Sequence, residues 1–450
     1  MRKNSFAFCG GAFGDEGKGK IVDMYVDMLS KKGPVIVYRD NGGANAGHTV
    51  EVGDTRIALH QLPSGILTEN ATLVLGKGMV IHPHDLLTEI KDVETAIQGK
   101  VTGKIKLDEM ATLSLDTHRA FESVLKQWES GGKGSTGRGI SPAYADVLLR
   151  HPVRVRDIVP FNEKKLTKHY QLYQALIKGL GQSIEKIEVP VLDQKQKTVV
   201  VGDLATFLKR LKAAAKKLQP IVCNAVEFLE STWNDTSYSF VFEKAQGLGL
   251  DPRWGVYPDV TASDTTFDGI YFASESIIDP NDISVRAAVL KATYMSSVGS
   301  RVLPTAMHGP LAEKIREDAH EYGATTKRPR DIAYIDIPAL RYFAKVGNVT
   351  HLILTHMDIV YLKEKVTICT DYTIDGKKVS YRPDQEYLDK VKPTYAEFEP
   401  WAADDLQNVT NPAKLPAAAR SYIKMLEKEI GVPVLLITMG PQRRQALFMK

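Results

Sequence analysis

Residues 10–20, Gly-Gly-Ala-Phe-Gly-Asp-Glu-Gly-Lys-Gly-Lys, restrict this chain more than any other stretch. The apolar run Phe6-Ala7-Phe8-Cys9 precedes them and Ile21–Leu29 follow, which predicts a strand, a glycine loop and a helix. Such a loop aims backbone N–H groups and the positive end of a helix at a phosphate chain. Gly14, four residues, then Gly19-Lys20 match the nucleotide-loop pattern up to its last position. Ile21 stands there in place of the Ser or Thr hydroxyl that would ligate magnesium. Asp15, inside the loop, is the replacement: its carboxylate could bind magnesium or take a proton.

Further strands empty into polar glycine loops. Pro34–Arg39 leads to Asp40-Asn41-Gly42-Gly43-Ala44-Asn45-Ala46-Gly47-His48-Thr49, and Leu73-Val74-Leu75 leads to Gly76-Lys77-Gly78. This predicts an α/β fold around a mostly parallel central sheet, with nucleotide-binding loops at the strands' carboxyl ends. Helices are expected at 85–97 and 115–129, and around an extended patch (188–201) within 160–217. Strands follow at 219–223 and 239–243, then helices at 284–296, 310–321 and 336–346. A strand at 352–355, a helix at 412–429 and a strand at 434–437 complete the pattern. Residues 131–142 form a third glycine loop, which formally satisfies GxGxxG at 132–137. It follows a helix and runs into Pro142, which fits a phosphate-binding loop better than a dinucleotide fold. No repeat, low-complexity tract or linker divides the chain, so a single domain over 1–450 is expected.

Composition narrows the class. A net charge of +4 is small for this size, no Lys/Arg block argues for a nucleic-acid partner, so none is expected, and the mild excess of base suits small anionic substrates. Cys9, Cys223 and Cys369 have no CxxC spacing, which argues against a disulfide framework or zinc site and fits a reducing cytoplasm. No apolar run reaches the ~18 residues of a membrane span, and the N-terminus lacks a signal peptide's apolar core. A cytoplasmic enzyme without membrane contact is expected.

Several side chains carry chemistry. Asp15 and His48 supply a carboxylate and an imidazole, and Arg328 and Arg330 offer guanidinium forks for carboxylate or phosphate. Asp358, after a strand, could accept two hydrogen bonds from a guanine N–H edge. Read alone, His48 is first a loop histidine capping a carbonyl, and Arg150 is equally a solvated charge.

The blocks Gly14–Lys20, Asn45–Thr49, Leu62–Leu67, Ser135–Ile140, Ala245-Gln246-Gly247, Gly323–Thr326 and Gly440-Pro441 occur in an order that resembles the adenylosuccinate synthetase family, nearly end to end. That resemblance implies ligation of IMP and L-aspartate driven by GTP with magnesium, in purine biosynthesis. Asp15 would remove the N1 proton so that O6 attacks the γ-phosphate, and His48 would assist the leaving GDP; Gln246 completes the catalytic group. Magnesium would sit on Asp15 and the Gly47 carbonyl. Asn45, Thr136, Gln246, Thr261 and Arg328 would contact IMP, with Arg150 reaching in from the second subunit of a homodimer. The loop from Thr325 and Thr326 to Arg330 would hold aspartate. GTP would use Gly14, Glu16, Gly17, Lys18, Gly19, Lys20, Thr49, Arg330, His356, Asp358, Thr438 and Gly440.

The chain departs from the family pattern at identifiable places. Phe13 replaces a common tryptophan, His356 a lysine that packs on guanine, and Met439 and Gln442 alter the loop around Gly440. These bear on GTP against ATP. Lys327 and Asp331 change the aspartate loop by removing a glycine and a base. The alternative within the family's reach is a 2-aminoadenylosuccinate synthetase acting on dGMP; Asp15 favours a 6-oxopurine without a 2-amino group. Outside it, a GTP-binding switch would hydrolyse slowly without IMP.

Overall fold

Alternate residues of the strands feed two separate cores, which is why these stretches read as unbroken apolar runs. Ile36 and Tyr38 pack into one core, while Val35 and Val37 pack into the other. A sheet covered on both faces demands this pattern. The structure is a computed structural model that describes residues 2–52, 55–129, 135–192, 197–297, 301–323 and 328–449. Its central sheet has ten strands, numbered here in chain order: β1 (Arg2–Gly10), β2 (Val35–Arg39), β3 (Ala71–Leu75), β4 (Ile105–Asp108), β5 (Val222–Cys223), β6 (Ser239–Gly247), β7 (Ile283–Lys291), β8 (His351–Thr355), β9 (Val434–Thr438) and β10 (Ala446–Phe448).

Across the sheet the order is β5-β4-β3-β2-β6-β1-β7-β8-β9-β10, parallel throughout except for the terminal β9–β10 pair. The chain moves outward from β2 to β5, returns to insert β6 between β2 and β1, and then moves outward on the other side. The reversal lies at β2, β6 and β1, so their carboxyl ends flank the crevice where open parallel sheets bind ligands. The pairing of Gly10 with Gly247 holds two of those ends in register.

Two expectations fail. Residues 284–296 do not form a helix: Ile283–Lys291 is β7, beside β1, with every residue from Arg286 to Lys291 buried. Ala287 and Ala288 favour a helix by propensity, but Ala287 and Val289 face one core while Ala288 and Leu290 face the other. A short apolar run gives no periodicity to separate the two readings. Pro142 ends no loop either; it lies in the first turn of helix Ile140–Leu148, where its missing N–H leaves no bond unmade. The last helix begins later than expected, at Ala417, after a short turn at Pro412–Lys414.

Outside the sheet, His48–Val52 and Thr55–Leu59 form a hairpin directly after the loop that follows β2. Strands Ile335–Asp336, Val366–Ile374, Lys377–Val379 and Lys392–Phe398 make a smaller sheet. Among the described residues, no helix is long and apolar enough to cross a membrane.

Candidate active site

The loops after β1, β2 and β6 meet around one cavity of about 700 Å³. Gly14, Asp15 and Lys18 line it from the first loop, Asn45, Gly47 and His48 from the second, and Gln246 from the carboxyl end of β6. Thr136, Thr261, Arg328 and Arg330 complete the wall.

The first loop is braced from within. Gly14 and Gly17 adopt φ of 94° and 89°, where a Cβ is strained, and Asp15 between them shares that region at 60°. The Glu16 carboxylate turns inward, accepting from the N–H groups of Ala12 (3.2 Å) and Gly14 (2.7 Å) and from Lys18 Nζ (2.8 Å). What Glu16 can offer a nucleotide is therefore its backbone. Helix Lys18–Ser30 starts at once, so its positive end faces the cavity. The Asp15 carboxylate pairs with Arg330, whose Nε lies 3.7 Å from Glu321.

The second loop ends in His48. Its Nδ1 contacts the Glu243 carboxylate, which also accepts from Ser64 N (2.7 Å) and Ser64 Oγ (2.5 Å). Burial alone would raise the Glu243 pKa, yet the His48 ring, Arg39 and Ser64 hold it at about 2. Burial pushes the His48 imidazole down, against the pull of Glu243. The carboxylate is thus ionised and accepts the Nδ1 proton of the ring. Beneath the loop, Lys244 pairs with Asp40, both fully buried, and Asn41 Oδ1 accepts from Ala245 N at 2.9 Å. These contacts join the second loop to β6.

Two polar atoms remain open. Gln246 Oε1 accepts from Ser263 Oγ at 3.2 Å, while its Nε2 and the Oδ1 of Asn45 are buried and have no partner among the described residues. An unmet buried polar atom costs about 1–3 kcal/mol, so a donor and an acceptor left open on one cavity suit a ligand with matching polar edges.

A second region adjoins the first without lining that cavity. Lys20 donates to the carbonyls of Gly440 and Gln445, the latter at 3.1 Å. Thr355 Oγ1 donates to Glu16 O at 2.8 Å, and Met357 N to Thr438 O at 3.1 Å. Arg443 clamps Asp23 (2.6 Å) and Asp27 (3.0 Å) on the first helix. Here burial and Lys291 push the His356 ring down to about 4, so it is neutral at pH 7. Burial raises the Asp358 carboxyl, whose Oδ1 has no partner among the described residues. Gly17 and Gly19 sit at the helix start between the two regions, and Thr49 is exposed on the hairpin.

Other expected residues lie elsewhere. Arg150 is exposed just past helix Ile140–Leu148, away from the cavity of its own chain. Thr325, Thr326 and Lys327 fall outside the described residues, as do Gly132, Lys133 and Gly134 of the third glycine loop. Sequence reasoning missed Glu243, Ser64, Arg39 and Arg301. A carboxylate closing the apolar run Phe240-Val241-Phe242 makes Glu243 unusual but names no partner for it. Arg301 lines the cavity, 4.9 Å above the Phe13 ring, and no sequence spacing links the two.

The Asp15 carboxylate and a backbone carbonyl at Gly47 are hard oxygen donors on facing loops, a set that suits magnesium. Among the described residues, His118, Asp146 and His169 also bring possible ligand atoms within 4.8 Å. His118 Nδ1 accepts from Leu115 N at 2.9 Å, so its Nε2 carries the proton and donates to Asp146 at 3.0 Å. That tautomer is a structural hydrogen bond and presents no lone pair to a metal.

A parallel sheet with a phosphate-type loop at its switch point, and a carboxylate and an imidazole on one cavity, defines a nucleotide-dependent α/β enzyme. The family model described as adenylosuccinate synthetase matches residues 7–447. The adenylosuccinate synthetase of Chlorobaculum parvum is 35% identical over 444 residues, covering 98% of this chain and 96% of that protein. That of Clostridium novyi is 32% identical, covering 99% of each. The structure of fully ligated adenylosuccinate synthetase from Plasmodium falciparum superposes with a TM-score of 0.86 at 30% identity, over 99% of this chain and 100% of that one. The chain belongs to the adenylosuccinate synthetase family and is a ligase that forms a carbon–nitrogen bond. Enzymes of this family join IMP and aspartate with GTP in purine biosynthesis. A cyanophage S-2L succinoaminodeoxyadenylate synthetase, bound to dGMP and dATP, shares the fold with a TM-score of 0.57 at 17% identity.

Proposed function

We propose that this chain converts IMP and L-aspartate to adenylosuccinate in two steps, consuming one GTP. Asp15 takes the N1 proton of the hypoxanthine, which places negative charge on O6. O6 attacks the γ-phosphorus, the bond to the β,γ-bridging oxygen breaks, and GDP leaves. His48 Nε2, on the cavity side of a ring whose Nδ1 is held by Glu243, donates a hydrogen bond to the departing phosphate. The aspartate amine then attacks C6, phosphate departs with O6, and a proton is lost from nitrogen. Asp15 and the Gly47 carbonyl would hold magnesium, which would supply charge neutralisation during phosphoryl transfer.

The reading rests on one observation: Asp15 and His48 face a single cavity with the open Gln246 Nε2 and Asn45 Oδ1 beside them. Asn45, Gln246, Thr136, Thr261 and Arg328 are the proposed IMP contacts, and the loop of Thr325, Thr326 and Arg328 the proposed aspartate contact. Asp15 pairs with Arg330 through Oδ2, which leaves Oδ1 to take the substrate proton. Arg150, between the exposed Leu148 and Leu149 and the exposed His151, is proposed to serve the cavity of a second subunit in a homodimer. The test incubates the protein with magnesium, IMP or dGMP, GTP or ATP, and aspartate, and identifies products by mass. Adenylosuccinate formed from IMP and GTP supports the reading. A 2-amino product from dGMP replaces it with the alternative, and no ligated product in any combination overturns both.

A further inference from the structure

Glu243 is the most confined carboxylate touching the cavity's side chains, and none of the steps above consumes it. It closes the apolar part of β6 and is fully buried. Three donors converge on it: the His48 Nδ1–H, the Ser64 amide at 2.7 Å and the Ser64 hydroxyl at 2.5 Å. Arg39, also fully buried, donates to His60 O at 2.6 Å and supplies nearby positive charge.

The other side of His48 is equally restricted. A Cβ built on Gly19 would lie 3.0 Å from His48 Cβ and 3.2 Å from Ser64 Oγ, so the start of the first helix packs directly against the histidine. His48 also pairs with Leu59 across the hairpin, which fixes its backbone. With the backbone held, χ1 and χ2 set where the ring points, and the contact with the carboxylate fixes them. An ionised carboxylate accepts and cannot donate, so it selects the tautomer with the proton on Nδ1. The atom left toward the cavity is Nε2.

We infer that Glu243 is the positioning residue of His48: through Nδ1 it sets the ring's orientation and tautomer, and so determines which nitrogen meets the transferring phosphoryl group. Ser64 completes the device by orienting the carboxylate, and Arg39 balances its charge. This inference rests on the role given to His48 above. It assigns Glu243 no contact with substrate and no proton of its own.

A double-mutant cycle separates positioning from mere structural support. kcat and KM for IMP and GTP are measured for the full-length protein, Glu243→Gln, His48→Asn and the double variant, with melting temperatures to establish folding. Glu243→Gln lowers kcat by at least ~10-fold, since losses from ~10-fold to ~10⁴-fold follow removal of a carboxylate that orients a histidine, and leaves both KM values within about threefold. In the His48→Asn background the same change costs less than about threefold, because the residue it acts through is gone. Ring nitrogen NMR of histidine-labelled protein shows the His48 Nδ1–H signature in the parent and its loss in Glu243→Gln.

Losses that multiply in the double variant, or a raised KM with kcat intact, overturn the positioning role. Should Glu243→Gln not fold, Ser64→Ala takes its place in the cycle. A several-fold loss of kcat that disappears with His48→Asn supports the inference, and an additive loss refutes it. Unchanged turnover in His48→Asn alone is a different failure: it removes His48 from the reaction, and the positioning role falls with it.

Discussion

The inner cavity and the region around Asp358 differ in how their charges are matched. Inside, Asp15 pairs with Arg330, Glu16 with Lys18 and the backbone of its own loop, and His48 with Glu243. Around Asp358 the carboxylate keeps an Oδ1 with no partner among the described residues, and His356 is a neutral ring. Matched charges hold reacting groups in place while charge moves, which is what phosphoryl transfer requires. An open, desolvated acceptor gains most from a ligand bearing the right donors and loses most from a wrong one. The inner region is therefore read as the seat of the chemistry and the outer one as the seat of nucleotide choice.

The largest expected effect tests the inner half. Asp15→Asn keeps the shape and removes the base, so kcat falls roughly a thousandfold while GTP affinity, read by calorimetry, stays within a few-fold. Turnover near the parental rate would take the proton abstraction away from Asp15. Next comes Asp358→Asn, which trades one acceptor for a donor. The ratio of kcat/KM for GTP over ATP is expected to fall by about 10- to 100-fold, with kcat for GTP little changed. A drop in kcat with selectivity intact would erase the division between the two regions.

A smaller effect belongs to His356→Lys. Placing a cation at this position is expected to raise the GTP/ATP ratio by about threefold to tenfold. An unmoved ratio would mean that His356 does not bear on the donor. The last effect is on stability and does not bear on turnover. The His356 pKa is about 4 in the folded protein against 6.5 when unfolded, so unfolding takes up a proton between those values. Its contribution is therefore present above pH 6.5 and is lost as the pH falls toward 4. Denaturant titrations should show the parent losing up to about 1.4 kcal/mol per pH unit more than His356→Gln across that window. Parallel pH profiles would contradict the neutral, buried ring.

Much of the inner region was legible from single loops, because phosphate-binding loops carry local glycine signatures. Gly14, Asp15, Asn45 and His48 each stand inside such a block, and all four line the cavity. Glu243 and Arg301 were not legible. Their partners, His48 and Phe13, are 195 and 288 positions away in the chain, a distance no local spacing reports. The fold was readable wherever a strand led into a polar loop. It failed at Ile283–Lys291, where alanines and burial on both faces leave a strand with no alternation to betray it. The brace on Glu16 escaped notice for a related reason: a glutamate among glycines looks like a ligand for the cavity until its carboxylate is seen turned into the loop.

The central claim is that O6 of the purine attacks the γ-phosphate before the amine arrives. IMP carrying heavy oxygen at O6, incubated with the protein, magnesium, GTP and aspartate, tests it most directly. Mass analysis of the released inorganic phosphate should find the heavy atom there, one per adenylosuccinate formed. Light phosphate alongside normal adenylosuccinate production would mean that O6 never joined phosphorus, and the two-step account would be wrong.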